Sequence, residues 1–133
     1  MVDNGFPLDR SFVHLGLGSV AIPLPDFTWD EECLEEYTRR FASDGDDGRL
    51  VCITAQDQTW TDWERHPTGD EVVVLLSGRL DVVQELPSGA NKVQLRPGQA
   101  TINPKGVWHT SDVHEAGLAL FITPGAGTEH KAR

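Results

Sequence analysis

Apolar and polar residues alternate in short runs over most of the chain beyond residue 48. Residues 49–55, 71–76, 79–86, 92–95, 99–103 and 118–123 each read as a strand rich in Val, Ile, Leu or Thr. Turn residues separate them. Ser77-Gly78 and Pro87-Ser88-Gly89 read as hairpin connections, and Pro97-Gly98 as a tight turn. Residues 11–25 hold β-like pieces around Gly16, Gly18, Pro23 and Pro25. The two prolines keep Leu24 extended and remove two ladder donors, which predicts an edge strand or arm. Helical spacing appears once, in Leu34, Tyr37 and Phe41, and predicts a helix over residues 30–41. Thr28 or Asp30 can cap it, acids fill its first turn, and Arg39 and Arg40 complement the dipole in its last. Short strands without intervening helices predict an all-β antiparallel sandwich or small barrel. The expected organisation is one domain, with residues 1–48 as arm and helix packed on a barrel of residues 49–133.

Composition narrows the partners more than the fold. At 133 residues and 38% hydrophobic, the chain can bury one ordinary core. Its net charge is −10, with 11 acids and 4 bases in residues 1–50 against 10 and 7 in the rest. There is no basic patch to release counterions, so neither nucleic acid nor anionic membrane is an expected partner. The acidic run over residues 30–36 reads as a solvated helix face. Cys33 and Cys52 have no zinc-type spacing and read as free thiols of a reducing compartment. Without a leader-like segment or a long apolar run, the expected location is cytoplasmic.

Candidate chemistry is concentrated in one stretch. Glu64, His66 and Glu71 fall within eight residues, around the turn Pro67-Thr68-Gly69-Asp70. His109 follows 38 residues after Glu71, behind its own turn Pro104-Lys105-Gly106. On an extended segment Glu64 and His66 share a face. Two imidazoles and two carboxylates would neutralise a divalent cation, and mixed N/O ligation suits Fe, Mn, Ni or Zn rather than calcium. Glu64 has three open roles: ligand, general base or salt-bridge partner. A buried carboxylate beside other acids is expected to rise in pKa toward useful pH. Asp70 reads as a turn residue satisfying backbone amides. Trp63 and Trp108 are candidate pocket walls, beside Trp60, and Val73, Leu75 and Val107 would make the pocket interior apolar. His14 and His114 read as surface or structural residues, and His130 as part of a frayed terminus.

The spacing resembles that of the cupins. Their first motif, Gly-x5-His-x-His-x3,4-Glu-x6-Gly, is matched in its second half by His66-x4-Glu71-x6-Gly78. Their second, Gly-x5-Pro-x-Gly-x2-His-x3-Asn, is matched by Gly98-x5-Pro104-x-Gly106-x2-His109. The resemblance covers roughly residues 50–125. Three positions depart: Glu64 replaces the first metal histidine, Gln58 the opening glycine and Val113 the closing asparagine. The resemblance implies a jelly-roll β-barrel with one divalent transition metal near its centre, held by Glu64, His66, Glu71 and His109. It also implies a homodimer, for which the arm over residues 6–25 is the candidate pairing edge. Two functions are compatible with these residues. One is a metal-dependent enzyme acting on a small organic acid or oxygenated metabolite, by oxygenase, isomerase or lyase chemistry. The other is a non-catalytic small-molecule-binding module.

Overall fold

The computed structural model describes residues 4–133. Eleven strands form two antiparallel sheets that pack face to face as a jelly-roll barrel. In chain order they are β1 (Ser11–Gly16), β2 (Val20–Pro25), β3 (Arg49–Gln56), β4 (Asp62–Arg65), β5 (Glu71–Leu75), β6 (Arg79–Leu86), β7 (Gly89–Leu95), β8 (Ala100–Asn103), β9 (His109–Glu115), β10 (Gly117–Pro124) and β11 (Glu129–Ala132). One sheet has the order β2-β1-β3-β10-β5-β8, and the other β11-β4-β9-β6-β7. No described helix is long and apolar enough to cross a membrane.

The alternation that predicts the strands also fills the barrel. On the six-stranded sheet Leu50, Cys52, Val73, Leu75, Ala119 and Phe121 point inward and are buried. Leu80, Val82 and Leu95 answer them from the other sheet. The motif glycines are steric requirements. Gly78 has φ +83°, and a Cβ there would stand 2.4 Å from the Glu115 carbonyl. That contact lets the β5–β6 turn lie against the β9–β10 turn.

Among the described residues there is one α-helix, α1 (Glu31–Arg40), which starts where Asp30 accepts a 2.8 Å hydrogen bond from the Cys33 amide. A 3-10 turn over Ala42–Asp47 follows. The helix is clamped to β1 by His14, which is buried. The His14 Nε2–H donates to Asp44 at 2.6 Å, which leaves Nδ1 to accept from the Tyr37 hydroxyl at 2.6 Å. Phe41 stacks on the His14 ring with centroids 3.7 Å apart. Burial raises the Tyr37 pKa well above its ordinary value, and the Asp44 charge adds to this. His14 is therefore a core residue. The arm joins the same core: β1 pairs with β3, and Phe12, Leu24 and Tyr37 belong to the cluster that fills the barrel.

Three of the described strands, β4, β9 and β11, lie outside the hydrophobic pattern. β9 reads HTSDVHE, with polar His109 and Ser111 among its buried positions. β11, Glu129–Ala132, is exposed along its length and is held by pairing with β4. β7 begins at Gly89, three residues earlier than the apolar run suggests, because its first half faces solvent.

Candidate metal centre

Two short loops and three strands bring the four candidate ligands together. Glu64 lies on β4 and is paired directly with His109, the first residue of β9. His66 follows β4, and Glu71 opens β5 opposite Asn103 of β8. Two backbone links tie the motifs to each other. The Gly106 amide donates to the His66 carbonyl at 3.0 Å, and the Lys105 amide to the Asp70 carboxylate at 2.7 Å. Asp70 thus has the expected turn role, across both motifs.

The donor atoms converge. His66 Nε2 is 3.1 Å from Glu64 Oε1 and 3.1 Å from Glu71 Oε2. His109 Nε2 is 3.3 Å from Glu64 Oε1 and 3.3 Å from Glu71 Oε1. The four ligand atoms all lie within 4.8 Å of one another. Ligands at about 2.1 Å from an octahedral cation stand about 3.0 Å apart, and from a tetrahedral one about 3.4 Å. The four imidazole–carboxylate separations fall in that interval. His66 Nε2 is buried and close to two carboxylate oxygens, yet has no hydrogen bond of acceptable geometry. A buried imidazole nitrogen without a hydrogen bond, 3.1 Å from each of two carboxylate oxygens, suits a cation at the common focus. The residues present therefore fit a divalent transition metal.

A second layer orients these groups. Asn103 donates to Glu71 Oε1 at 3.0 Å, and Thr123 to Glu71 Oε2 at 2.7 Å. Gln84 in turn donates to the Asn103 oxygen at 2.9 Å. His66 Nδ1 is 3.0 Å from the Thr128 hydroxyl, so a proton there would leave Nε2 free to ligate. His109 Nδ1 is buried without a partner among the described residues. His130, expected to fray, lies on β11 opposite Glu64 and donates to Glu64 Oε2 at 2.9 Å. Backbone pairing with β4 holds it there, which a short polar C-terminal segment does not announce. His114 bonds Asp81 at 2.8 Å, outside the centre.

The charges of the site are strongly coupled. Burial alone would raise the Glu64 pKa, but the hydrogen bond from His109 and the close approach and charge of both imidazoles outweigh it and hold the carboxyl well below the usual range. This reverses the expected rise, because imidazoles rather than acids face Glu64 most closely. Burial alone would lower the His66 pKa, but Glu64 and Glu71 together push it up to about 9. Cys52, nearby, has its thiol pushed up to about 12, first by burial and then by the charges of Glu71 and Glu64. It remains protonated and is a poor ligand at neutral pH.

A cavity of about 610 Å³ opens onto Glu64, His66 and Glu71, with Trp29, Tyr37, Trp60 and Phe121 as its aromatic wall. The expected wall was different. Trp63 alternates with Glu64 on β4 and so points outward, where Lys131 and Arg133 each lie 6.0 Å from its ring. Trp108 is covered by Arg65 and Lys131, each 4.6 Å from the ring centroid. Val107 precedes β9 and lines a shallow outer groove with Trp108. Val73 and Leu75 point inward but into the packed core, not the cavity. Trp29 and Tyr37 come from the helical region, whose pattern carries no sign that it covers the barrel mouth.

No family model matches the sequence, and no curated protein does. Solved structures do. A cupin-2 domain protein from Shewanella frigidimarina is 22% identical, with 60% of this chain and 72% of that chain covered at a TM-score of 0.50. Hydroquinone 1,2-dioxygenase from Sphingomonas sp. TTNP3, solved with 4-hydroxybenzoate bound, is 17% identical, with 57% and 59% covered at 0.50. Peruvianin-I, described as a cysteine peptidase from Thevetia peruviana latex, is 14% identical, with 64% and 55% covered at 0.52. The chain thus spans less than two thirds of the latter two proteins. Neighbours with such different activities share a barrel, and the likeness is one of fold. The fold of this chain is that of the cupins.

Proposed function

We propose that this chain is a metal-dependent cupin enzyme acting on a small organic acid or oxygenated metabolite. His66, Glu71, His109 and Glu64 Oε1 would hold one divalent transition metal. The observation that carries this reading is the convergence of four donor atoms, one of them the unpaired buried His66 Nε2, beside a cavity of small-molecule size. A bound Fe, Mn, Ni or Zn ion would supply Lewis acidity toward a carboxylate or carbonyl oxygen, or a site for dioxygen beside the substrate.

The chain's own residues would do the rest. Trp29, Trp60 and Phe121 would exclude water and pack against the carbon skeleton of the ligand. The depressed pKa of Glu64 makes it a weak proton acceptor at neutral pH, which supports ligation over general base catalysis. His130, half in solvent, reaches Glu64 from the cavity rim and would hold its outer oxygen in place. Two free thiols, Cys33 and Cys52, support a cytoplasmic setting, and we read the protein as a homodimer.

Metal analysis of protein purified without chelator tests the reading. About one transition metal per chain, lost in His66→Ala, is the expected result. A metal-free protein that cannot be reconstituted would overturn it and leave the binding-module alternative.

A further inference from the structure

The cavity above the metal centre has a wall that narrows what it can take up. Its volume of about 610 Å³ lies within the about 300–1,000 Å³ of sites that enclose drug-sized molecules, and is more than a short-chain acid fills. No lysine or arginine stands among the described residues that line it. Its two carboxylates, Glu64 and Glu71, are the groups that a divalent cation would neutralise. Nearby bases are committed elsewhere: Arg49 donates to the Asp70 carbonyl at 2.8 Å, and Arg65 is paired with Glu129 at 2.7 Å. The hydroxyl and amide side chains of the wall are engaged with the protein itself. Tyr37 bonds His14, Thr123 donates to Glu71 and Thr128 meets His66. Gln56 donates to the Thr54 hydroxyl at 2.9 Å and accepts from the Trp60 indole at 2.8 Å. The apolar part of the wall is continuous from the centre outward. The Trp60 ring centroid is 6.1 Å from that of His109 and 6.4 Å from that of Phe121. Trp29, 55% exposed, and Leu34, 37% exposed, extend it to the mouth.

We propose, resting on the reading of this centre as a metal site, that its ligand is an apolar monocarboxylate: one carboxylate head on a hydrocarbon body. The head would meet the cation. The body would lie along Trp60 and Phe121 and reach the rim at Trp29 and Leu34. Charge selects this class. Glu64 and Glu71 balance a divalent cation, so the centre accepts one further negative charge through the metal and offers nothing to a second. A second carboxylate or a phosphate group would shed its water against the wall with no counter-charge to meet it. The hydroxyls of a sugar would be desolvated beside side chains whose hydrogen bonds are already made. Affinity comes instead from the body, which covers aromatic and aliphatic surface otherwise in contact with water. The wall thus discriminates by refusing charge as well as by attracting carbon.

Isothermal titration calorimetry of the full chain, loaded with about one zinc per chain, tests this with 4-phenylbutyrate, butyrate and adipate as probes. 4-Phenylbutyrate is expected to bind about 30-fold or more tighter than butyrate, which has the head without the body. It is expected to exceed adipate, which carries a second charge, by at least as much. Trp29→Ser is expected to weaken 4-phenylbutyrate by about 5-fold or more and to leave butyrate unchanged, with circular dichroism verifying its fold. The ranking of the three probes needs no variant. Butyrate or adipate binding as tightly as 4-phenylbutyrate would overturn the proposal. So would a folded Trp29→Ser protein that binds 4-phenylbutyrate as the wild type does. A chain that takes up no zinc fails the metal reading and not the wall. On that metal-free protein 4-phenylbutan-1-ol is expected to bind more tightly than butan-1-ol, and equal affinity would overturn the apolar assignment.

Discussion

His66 and Glu64 are shifted in opposite directions, and their shifts give stability a pH signature. The His66 pKa rises from 6.5 to about 9 on folding. Its contribution to the stability of the metal-free protein is therefore fully present below about pH 6.5 and lost as pH rises toward 9. The Glu64 pKa is lowered from 4.5, so its contribution is present above pH 4.5 and lost as pH falls further. Metal binding must displace the His66 proton. Affinity is expected to rise about tenfold per pH unit up to pH 9, with about one proton released per metal at neutral pH. Competition titrations with a chromophoric chelator at several pH values check this, and a flat profile would contradict it. His130→Ala should weaken metal binding about 10-fold or more with little change in melting temperature, because Glu64 Oε2 loses its orienting donor. Unchanged affinity would show that Glu64 is positioned without it.

At the scale of elements, the parts that were hard to read are those committed to the site. The strands with alternating apolar residues, β3, β5, β6 and β10, stand close to where the pattern predicts them. β9 does not announce itself, because its buried positions carry polar groups that serve the centre and its surroundings. β11 has no buried side chain at all, and with it went the contact between His130 and Glu64. Trp63 was legible in principle: parity with Glu64 already sends it outward. The helix was found but not its purpose, which is to carry Tyr37 to both the cavity wall and the His14 clamp. His14→Ala should destabilise the protein by about 2–4 kcal/mol, since it opens a cavity and strands the buried Tyr37 hydroxyl. Urea unfolding measures this; a loss below 1 kcal/mol would mean that α1 does not depend on the clamp.

For the whole molecule, glycine and proline spacing was the most legible signal, because turns such as Gly78 admit no side chain. The barrel follows from them, and so does the meeting of the two motifs. The central claim is that Glu64, in the place of a histidine, completes a metal site. Anomalous diffraction at the Mn, Fe, Ni and Zn edges, from crystals of untreated protein, tests it most directly. The account predicts one peak per chain, about 2.0–2.3 Å from Glu64 Oε1, His66 Nε2, Glu71 and His109 Nε2. No peak, or one from which Glu64 turns away, would contradict it.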